Sequence, residues 1–190
     1  MNLILMRILF FCLIPIGFFI FFKAIQLLRK SFNGSIMLDI PYLQNGGRFS
    51  VTSSGNFSIW QKGPIFKRTP TDKFKLCIYE ESTKEEIKLN FSLLRPQTNN
   101  FSTGRMELYK FYAPIGNYKI EFREGSNTSK LENSIGNTIP LKPVDLSKYF
   151  IQIRESQSQI ITLLAIPMLL LGIFGTVGGF VLGLLVDQIF

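Results

Sequence analysis

The chain contains no histidine. That absence removes the commonest general base, the proton relay of serine triads and the most frequent metal ligand at once. Cysteine is almost as scarce. Cys12 lies in an apolar run and Cys77 in a stretch with strand character (KLCIY), so the two have no route to one another. No disulfide framework is expected, and the redox compartment stays unread. Bulky Phe10 and Phe11 precede Cys12 where a lipoprotein cleavage site would need small residues. There is no CxxC pair, no glycine loop built to cradle phosphate ahead of a helix, and no GxSxG. Carboxylates do cluster, at Glu80-Glu81 and Glu85-Glu86, but they bracket Ser82-Thr83-Lys84 where a turn between strands is expected. Charge is ordinary there, and a calcium site would need several converging oxygens. The expectation is a non-catalytic protein with no cofactor and no metal.

Charge is also missing from both ends of the chain. Apart from Arg7 and Asp187, every charged residue lies between Lys23 and Glu155. Residues 160–186 read IITLLAIPMLLLGIFGTVGGFVLGLLV, with two threonines the only polar side chains. At about 1.5 Å per residue such a helix exceeds the roughly 30 Å hydrocarbon core of a bilayer. Within it Gly175, Gly179 and Gly183 recur every four residues, with Gly172 and Gly178 near the same face. Glycines at that spacing let a second helix approach closely in lipid, where packing rather than water exclusion drives association. The first apolar run, residues 8–22, is framed by Arg7 and Lys23, which can snorkel toward the interfaces. A cleaved signal peptide is the rival reading, but beyond the apolar core only Ala24 is small, with Phe22 two residues before it. An uncleaved anchor is expected, with Pro15 and Gly17 forming a kink or a notch for the glycine face.

The middle of the chain changes to a period of two. Strands are expected at 35–40, 47–52, 56–60, 74–80, 86–93, 105–111, 117–122 and 149–153. The clearest alternation sets Phe74, Leu76 and Ile78 against Lys73, Lys75 and Cys77; Ile87, Leu89 and Phe91 alternate with Lys88, Asn90 and Ser92. Such strands are half-buried and antiparallel. Turn chemistry separates them: NGG at 45–47, SSGN at 53–56, PIGN at 114–117 and EGSN at 124–127. Gly55-Asn56-Phe57-Ser58-Ile59 is echoed by Gly116-Asn117-Tyr118-Lys119-Ile120, for which recurrent hairpin geometry is explanation enough. Residues 126–148 read as a long polar loop. The fold class expected is a membrane protein in which two transmembrane helices (1–28 and 159–187) bracket an all-β antiparallel sandwich of seven to eight strands (29–158).

Residues 103–122, with Arg105, Met106, Leu108, Phe111, Pro114, Gly116 and Tyr118 in place, resemble a segment of uncharacterised small bacterial inner-membrane proteins. The resemblance covers about twenty residues and carries a strand–turn–strand signature without chemistry. It implies a β-sandwich between an N-terminal and a C-terminal helix, and no activity.

The formal net charge is +8, and its densest cluster is Lys62, Lys67, Arg68, Lys73 and Lys75, following the single tryptophan, Trp60. A loop is expected there. It offers an anionic contact, to lipid phosphates or an acidic partner, or is simply solvated. No nucleic-acid-reading module surrounds it, so no nucleic acid is expected. Five N-x-S/T sequons, at Asn33, Asn56, Asn90, Asn100 and Asn127, would be glycan acceptors in a lumenal eukaryotic domain; three are NFS on the polar side of alternating patterns, and most read as incidental. Positive charge near the helix ends (Lys23, Arg29, Lys30, Lys148, Arg154) argues for a cytoplasmic middle domain. That rule weakens for loops well beyond about sixty residues. An extracytoplasmic domain is the expectation, with membrane lipid and a protein or envelope component as partners. The second helix would pack on the first, or join copies or another subunit, through Gly172, Gly175, Gly179 and Gly183. An accessory subunit of a membrane complex and an immunity-type protein are the alternatives.

Overall fold

Strands form where the alternation is strongest, and they pair into two antiparallel sheets. The computed structural model describes residues 2–65, 74–124 and 145–189. The first sheet carries β1 (Ile36–Pro41), β9 (Phe150–Ser156), β3 (Gly55–Pro64), β7 (Thr103–Ala113) and β5 (Asn90–Phe91) in that order, with β6 (Gln97–Asn99) also paired to β7. The second holds β2 (Gly46–Val51), β8 (Gly116–Glu124) and β4 (Phe74–Glu80). One core joins them: Phe57, Ile59, Phe111, Ile151 and Ile153 from the first, and Phe49, Leu76, Ile78, Tyr118 and Ile120 from the second. The aromatic rings interlock, with Phe57 and Phe111 stacked at 5.7 Å and Phe49 and Tyr118 at 5.5 Å. Offset pairs of this kind add to plain area burial.

The two Gly-Asn segments are not hairpins. β2 lies in the second sheet and β3 in the first; β7 lies in the first and β8 in the second. Each Gly-Asn therefore opens a strand just after the chain has crossed between sheets. The crossings run side by side, since Val51 pairs with Gly116 and Gly55 with Ala113. Phe57 and Ile59 on one side, and Tyr118 and Ile120 on the other, enter the core at matching places. Tyr118 also ties its own crossing down, its hydroxyl donating to the Pro114 carbonyl at 3.0 Å.

The stretch expected as one strand at 86–93 divides. Glu86 makes a single bridge to Tyr79, and only Asn90 and Phe91 pair with β7. The turn before it is organised by its carboxylates. Glu80 accepts from the Ser82 and Thr83 hydroxyls at 2.9 and 3.0 Å, Glu81 pairs with Arg48 at 2.8 Å, and Glu86 accepts from the Tyr79 hydroxyl at 3.3 Å. Lys84 takes the left-handed backbone conformation that closes the turn. The acidic cluster thus builds a turn. At the NGG segment Asn45 and Gly46 both have positive φ, and the Gly46 value of 144° is one that a side chain would strain.

The helices form a separate compact unit, residues 1–33 with 158–190, distinct from residues 34–157. α1 spans Leu3–Phe32 and α2 spans Gln159–Ile189, each longer than expected and each apolar enough to cross a membrane. Asn2 caps α1 by accepting from the Ile4 amide, and Arg29 and Lys30 stand in its last turn, where cations suit the helix dipole. The outward faces carry large apolar side chains, among them Phe18, Phe19, Phe22, Phe174 and Phe180.

Candidate functional site

Along β3 the core-facing row runs Phe57, Ile59, Gln61, Gly63, and the chemistry changes halfway. Gln61 pairs with Met106 on one side and Ile151 on the other, so it continues the row that Ile59 begins. It is buried, at 3% exposure, yet among the described residues neither its amide oxygen nor its amide nitrogen has a hydrogen-bond partner. Leaving such groups unmade costs about 1–3 kcal/mol. Gln61 lines an open pocket of about 250 Å³ on the first sheet, together with Gln97, Asn99, Met106, Arg105 and Tyr149, although its amide atoms are sealed from it. Gly63 and Gly104, paired across β3 and β7, form its floor. The Tyr149 ring lies over Gly63, where a Cβ would stand 2.5 Å from Cδ1, and the Asn99 amide oxygen lies 2.6 Å from the place a Cβ on Gly104 would take. Any side chain at either glycine would displace the wall.

The opposite face of the same sheet buries polar groups that mostly have partners, Glu107 Oε2 being unpartnered among the described residues. Trp60 is fully buried but stands outside the core, its indole donating to the Ser58 hydroxyl at 2.8 Å with the Arg105 guanidinium over its ring. Glu107 accepts from the Ser92 hydroxyl at 2.6 Å and pairs with Lys110 at 3.6 Å, and Lys110 also donates to the Gln157 carbonyl. Burial pushes the Glu107 carboxyl above its usual range and the Lys110 ammonium below its own. Gln152 bridges Asp39 and Arg154, donating to the first at 2.8 Å and accepting from the second at 3.1 Å. These contacts fasten strands and the segment carrying Ser92 to the sheet. Among the described residues no group of three acidic or thiol side chains is placed to hold a metal ion.

The basic cluster is not one loop. Lys62 belongs to β3, which runs on past Trp60 because residues 61–64 keep pairing with residues 103–106. Its ammonium lies over the Phe150 ring at 5.4 Å. Lys75 belongs to β4 in the other sheet. Lys67, Arg68 and Lys73 lie outside the described residues, as do residues 126–144 of the expected polar loop, Asn127 and the end of the EGSN turn.

In the helical unit the glycines face α1 of the same chain, and the helices run antiparallel. A Cβ at Gly172 would stand 2.6 Å from the Phe21 amide nitrogen, at Gly179 2.7 Å from the Phe10 carbonyl, and at Gly183 2.7 Å from the Phe11 ring. Gly175 approaches the Gly17 Cα, so Gly17 is a notch. Gly178, expected near the same face, meets nothing within 4 Å. Most buried positions recur every seven residues, at Gly17, Ala24 and Ser31 on α1 and at Ala165, Gly172, Gly179 and Val186 on α2, with Met6, Thr162 and Gly183 buried off these rows. Seven is the period of a left-handed helix pair, a different interval from the four-residue glycine spacing. At one end Arg7 and Asp187 form an ion pair; at the other the Ser31 and Thr162 hydroxyls meet at 3.3 Å. A second subunit meeting α2 would have to use another of its faces.

Sequence reasoning missed Gln61, Gln97 and Asn99. Its third strand stopped at Trp60, and β6 was not expected. The usable signal was the alternation continuing through Gln61-Lys62-Gly63 and repeated in Gln97-Thr98-Asn99. No protein family profile matches the chain, and no curated protein matches it in sequence.

Proposed function

We propose that the chain is a two-pass membrane protein whose β-sandwich is a non-catalytic binding module, held on the extracytoplasmic side of a bacterial inner membrane and addressed to an envelope component or a protein partner. Both helices are long enough to span, and their outward faces are apolar. Each chain end brings one charged residue into the helical unit near its terminus, Arg7 and Asp187, and these pair with each other. Pairing is the arrangement that lowers the cost of charge near a bilayer. The middle segment is long enough to be translocated despite its basic flanks.

The observation that carries the binding reading is the pocket walled by Gln97, Asn99, Met106 and Tyr149, with the buried Gln61 amide, unpartnered among the described residues, behind it. A glutamine that served only to fill the core would be replaced at lower free energy by leucine or methionine. A glutamine with both polar atoms unsatisfied next to a pocket fits a site whose wall rearranges to complete those hydrogen bonds when something binds. Among the described residues the lining offers amides, a phenol and a guanidinium, and no nucleophile paired with a base.

The test is photocrosslinking in intact cells from the full chain, with a benzophenone amino acid at Gln97 beside the cavity and, as control, at Ser82 in the distant turn. A discrete adduct from position 97 that is absent from position 82 and lost when Gln61→Leu is added is the expected result. No adduct, or the same labelling from both positions, contradicts the reading.

A further inference from the structure

The sandwich unit, residues 34–157, receives the chain and returns it at one end of its first sheet. Ile36 of β1 pairs with Arg154 of β9, and the Glu155 amide donates to the Ser35 carbonyl at 3.0 Å. Asn56 pairs with Ser156 on one side and Tyr112 on the other, which puts those ends of β3, β7 and β9 in one row. Both crossings between the sheets, residues 52–54 and 114–115, lie at this end as well, because Gly55 pairs with Ala113 and Val51 with Gly116. The first crossing is Thr52-Ser53-Ser54, as turn chemistry in water favours, but the second is Pro114-Ile115. Ile115 is 67% exposed on a braced turn: Ala113 and Tyr118 are buried beside it, and the Tyr118 hydroxyl holds the Pro114 carbonyl. Tyr112 and Ile36 are exposed at the same end.

Single apolar side chains are ordinary on a soluble surface, so position decides what these three do. On the two-pass reading, from which this inference proceeds, the link to lipid is short. Only Ser158 separates Gln157 from α2, whose apolar run starts at Ile160, and residues 33–35 alone join α1 to β1. At roughly 3.5 Å per extended residue, neither link carries this end far from the membrane surface. We infer that this end of the sandwich is a bilayer-contact surface, with Ile115 inserted among the headgroups and Tyr112 and Ile36 at the margin. A tyrosine suits that boundary, with an apolar ring and a wet hydroxyl. The occupant is a zwitterionic lipid surface, held by apolar contact. Glu80 pairs with Tyr118 and the Glu81 amide donates to the Asn117 carbonyl, so the 80–86 turn stands at the same end of the second sheet. Its carboxylates, Glu80, Glu81, Glu85 and Glu86, outnumber Lys84 and the Arg48 that pairs with Glu81, so charge does not draw this end to anionic lipid.

The experiment places an environment-sensitive fluorescent amino acid singly at positions 115, 43 and 180 of the full chain, in phosphatidylcholine vesicles carrying nitroxide-labelled lipids. Leu43 is the matched control, an aliphatic side chain 62% exposed in the turn after β1, at the other end of the sheet where Pro41 pairs with Phe150. Blue-shifted emission and severalfold stronger quenching at 115 than at 43 are expected. Outward Phe180 reports on the helices themselves. Quenching at 180 with equal signals at 115 and 43 overturns the contact and leaves the two-pass reading standing; no quenching at 180 overturns both. Ile115→Asp, read by a probe at position 112, should remove most of the quenching there and leave the thermal midpoint unchanged, because the side chain lies outside the core. Quenching at 112 that ignores the aspartate overturns the role of Ile115. Adding phosphatidylglycerol should not strengthen the signal at 115, and quenching that requires the anionic lipid overturns the apolar contact.

Discussion

Along the helix pair the buried positions are mostly small, among them Gly17, Ala24 and Ser31 against Ala165, Gly172 and Gly179; in the sandwich they include Phe49, Phe57, Phe111, Tyr118 and their aliphatic neighbours. With the helices in lipid, as proposed, the contrast follows from the solvent of each unit. In water, contact is stabilised by removing apolar area, at about 25 cal/mol per Å², so large rings belong inside. In a bilayer the tails are as apolar as leucine, and rings gain nothing by leaving them. There the helices put phenylalanines outward and bring backbones together through small residues. The two units are thus inverted versions of one another, rings in and rings out, and each can be broken by the substitution that the other would tolerate.

The largest effects should come from emptying the sandwich. Phe111→Ala leaves a cavity between Phe57 and Phe49, and a loss of about 3–5 kcal/mol is expected from chemical denaturation of the full chain in detergent. The same truncation at outward Phe180 should change stability by less than about 0.5 kcal/mol.

A comparable loss, about 3–5 kcal/mol at neutral pH, is expected for Lys110→Met, which strands the buried Glu107 without its cation. Its pH dependence sharpens the assignment. Burial already holds the Glu107 carboxyl above its usual range, so its protonated form is the one favoured by folding. A group raised in this way contributes stability below its unfolded pKa that is lost as pH rises through its folded pKa. Without Lys110 the folded pKa rises further. The deficit of Lys110→Met relative to the parent chain should therefore shrink as pH falls from 7 toward 5, as denaturation midpoints measured across that range would show. A deficit that is constant or grows on acidification contradicts the pairing.

Smaller effects belong to the helix pair. Gly179→Leu should separate the helices at a cost of about 1–3 kcal/mol, while Gly178→Leu, one residue away and facing open space, should be nearly neutral. Cysteine crosslinking between positions 31 and 162, whose side chains meet in the parent chain, measures the separation in each background. Equal behaviour of the two leucine variants would place the contact on a different face.

The inversion explains what could be read from the chain. Both helices were legible because composition alone marks them, and β4 was found at its true bounds because Phe74, Leu76 and Ile78 alternate cleanly with polar residues. The seven-residue seam was harder to see. Gly17, Ala24 and Ser31 are unremarkable singly, and the four-residue spacing of Gly175, Gly179 and Gly183 draws the eye to a steeper stripe. Sheet-crossing at the two Gly-Asn segments was invisible, because a short turn between strands carries the same residues whether it joins neighbours in one sheet or passes to another. The cavity was missed for a related reason: Gln61 and Gly63 look like the end of a strand when their partners, Ile151, Met106 and Gly104, are distant in sequence.

The central claim is that the aromatic-cored unit faces the extracytoplasmic side while the helix pair sits in lipid. The most direct measurement is a dual alkaline-phosphatase and green-fluorescent reporter inserted at Thr83, in the exposed turn between Glu80 and Glu86. Phosphatase activity without fluorescence is the result predicted. Fluorescence without phosphatase activity would put the sandwich in the cytoplasm and contradict the account.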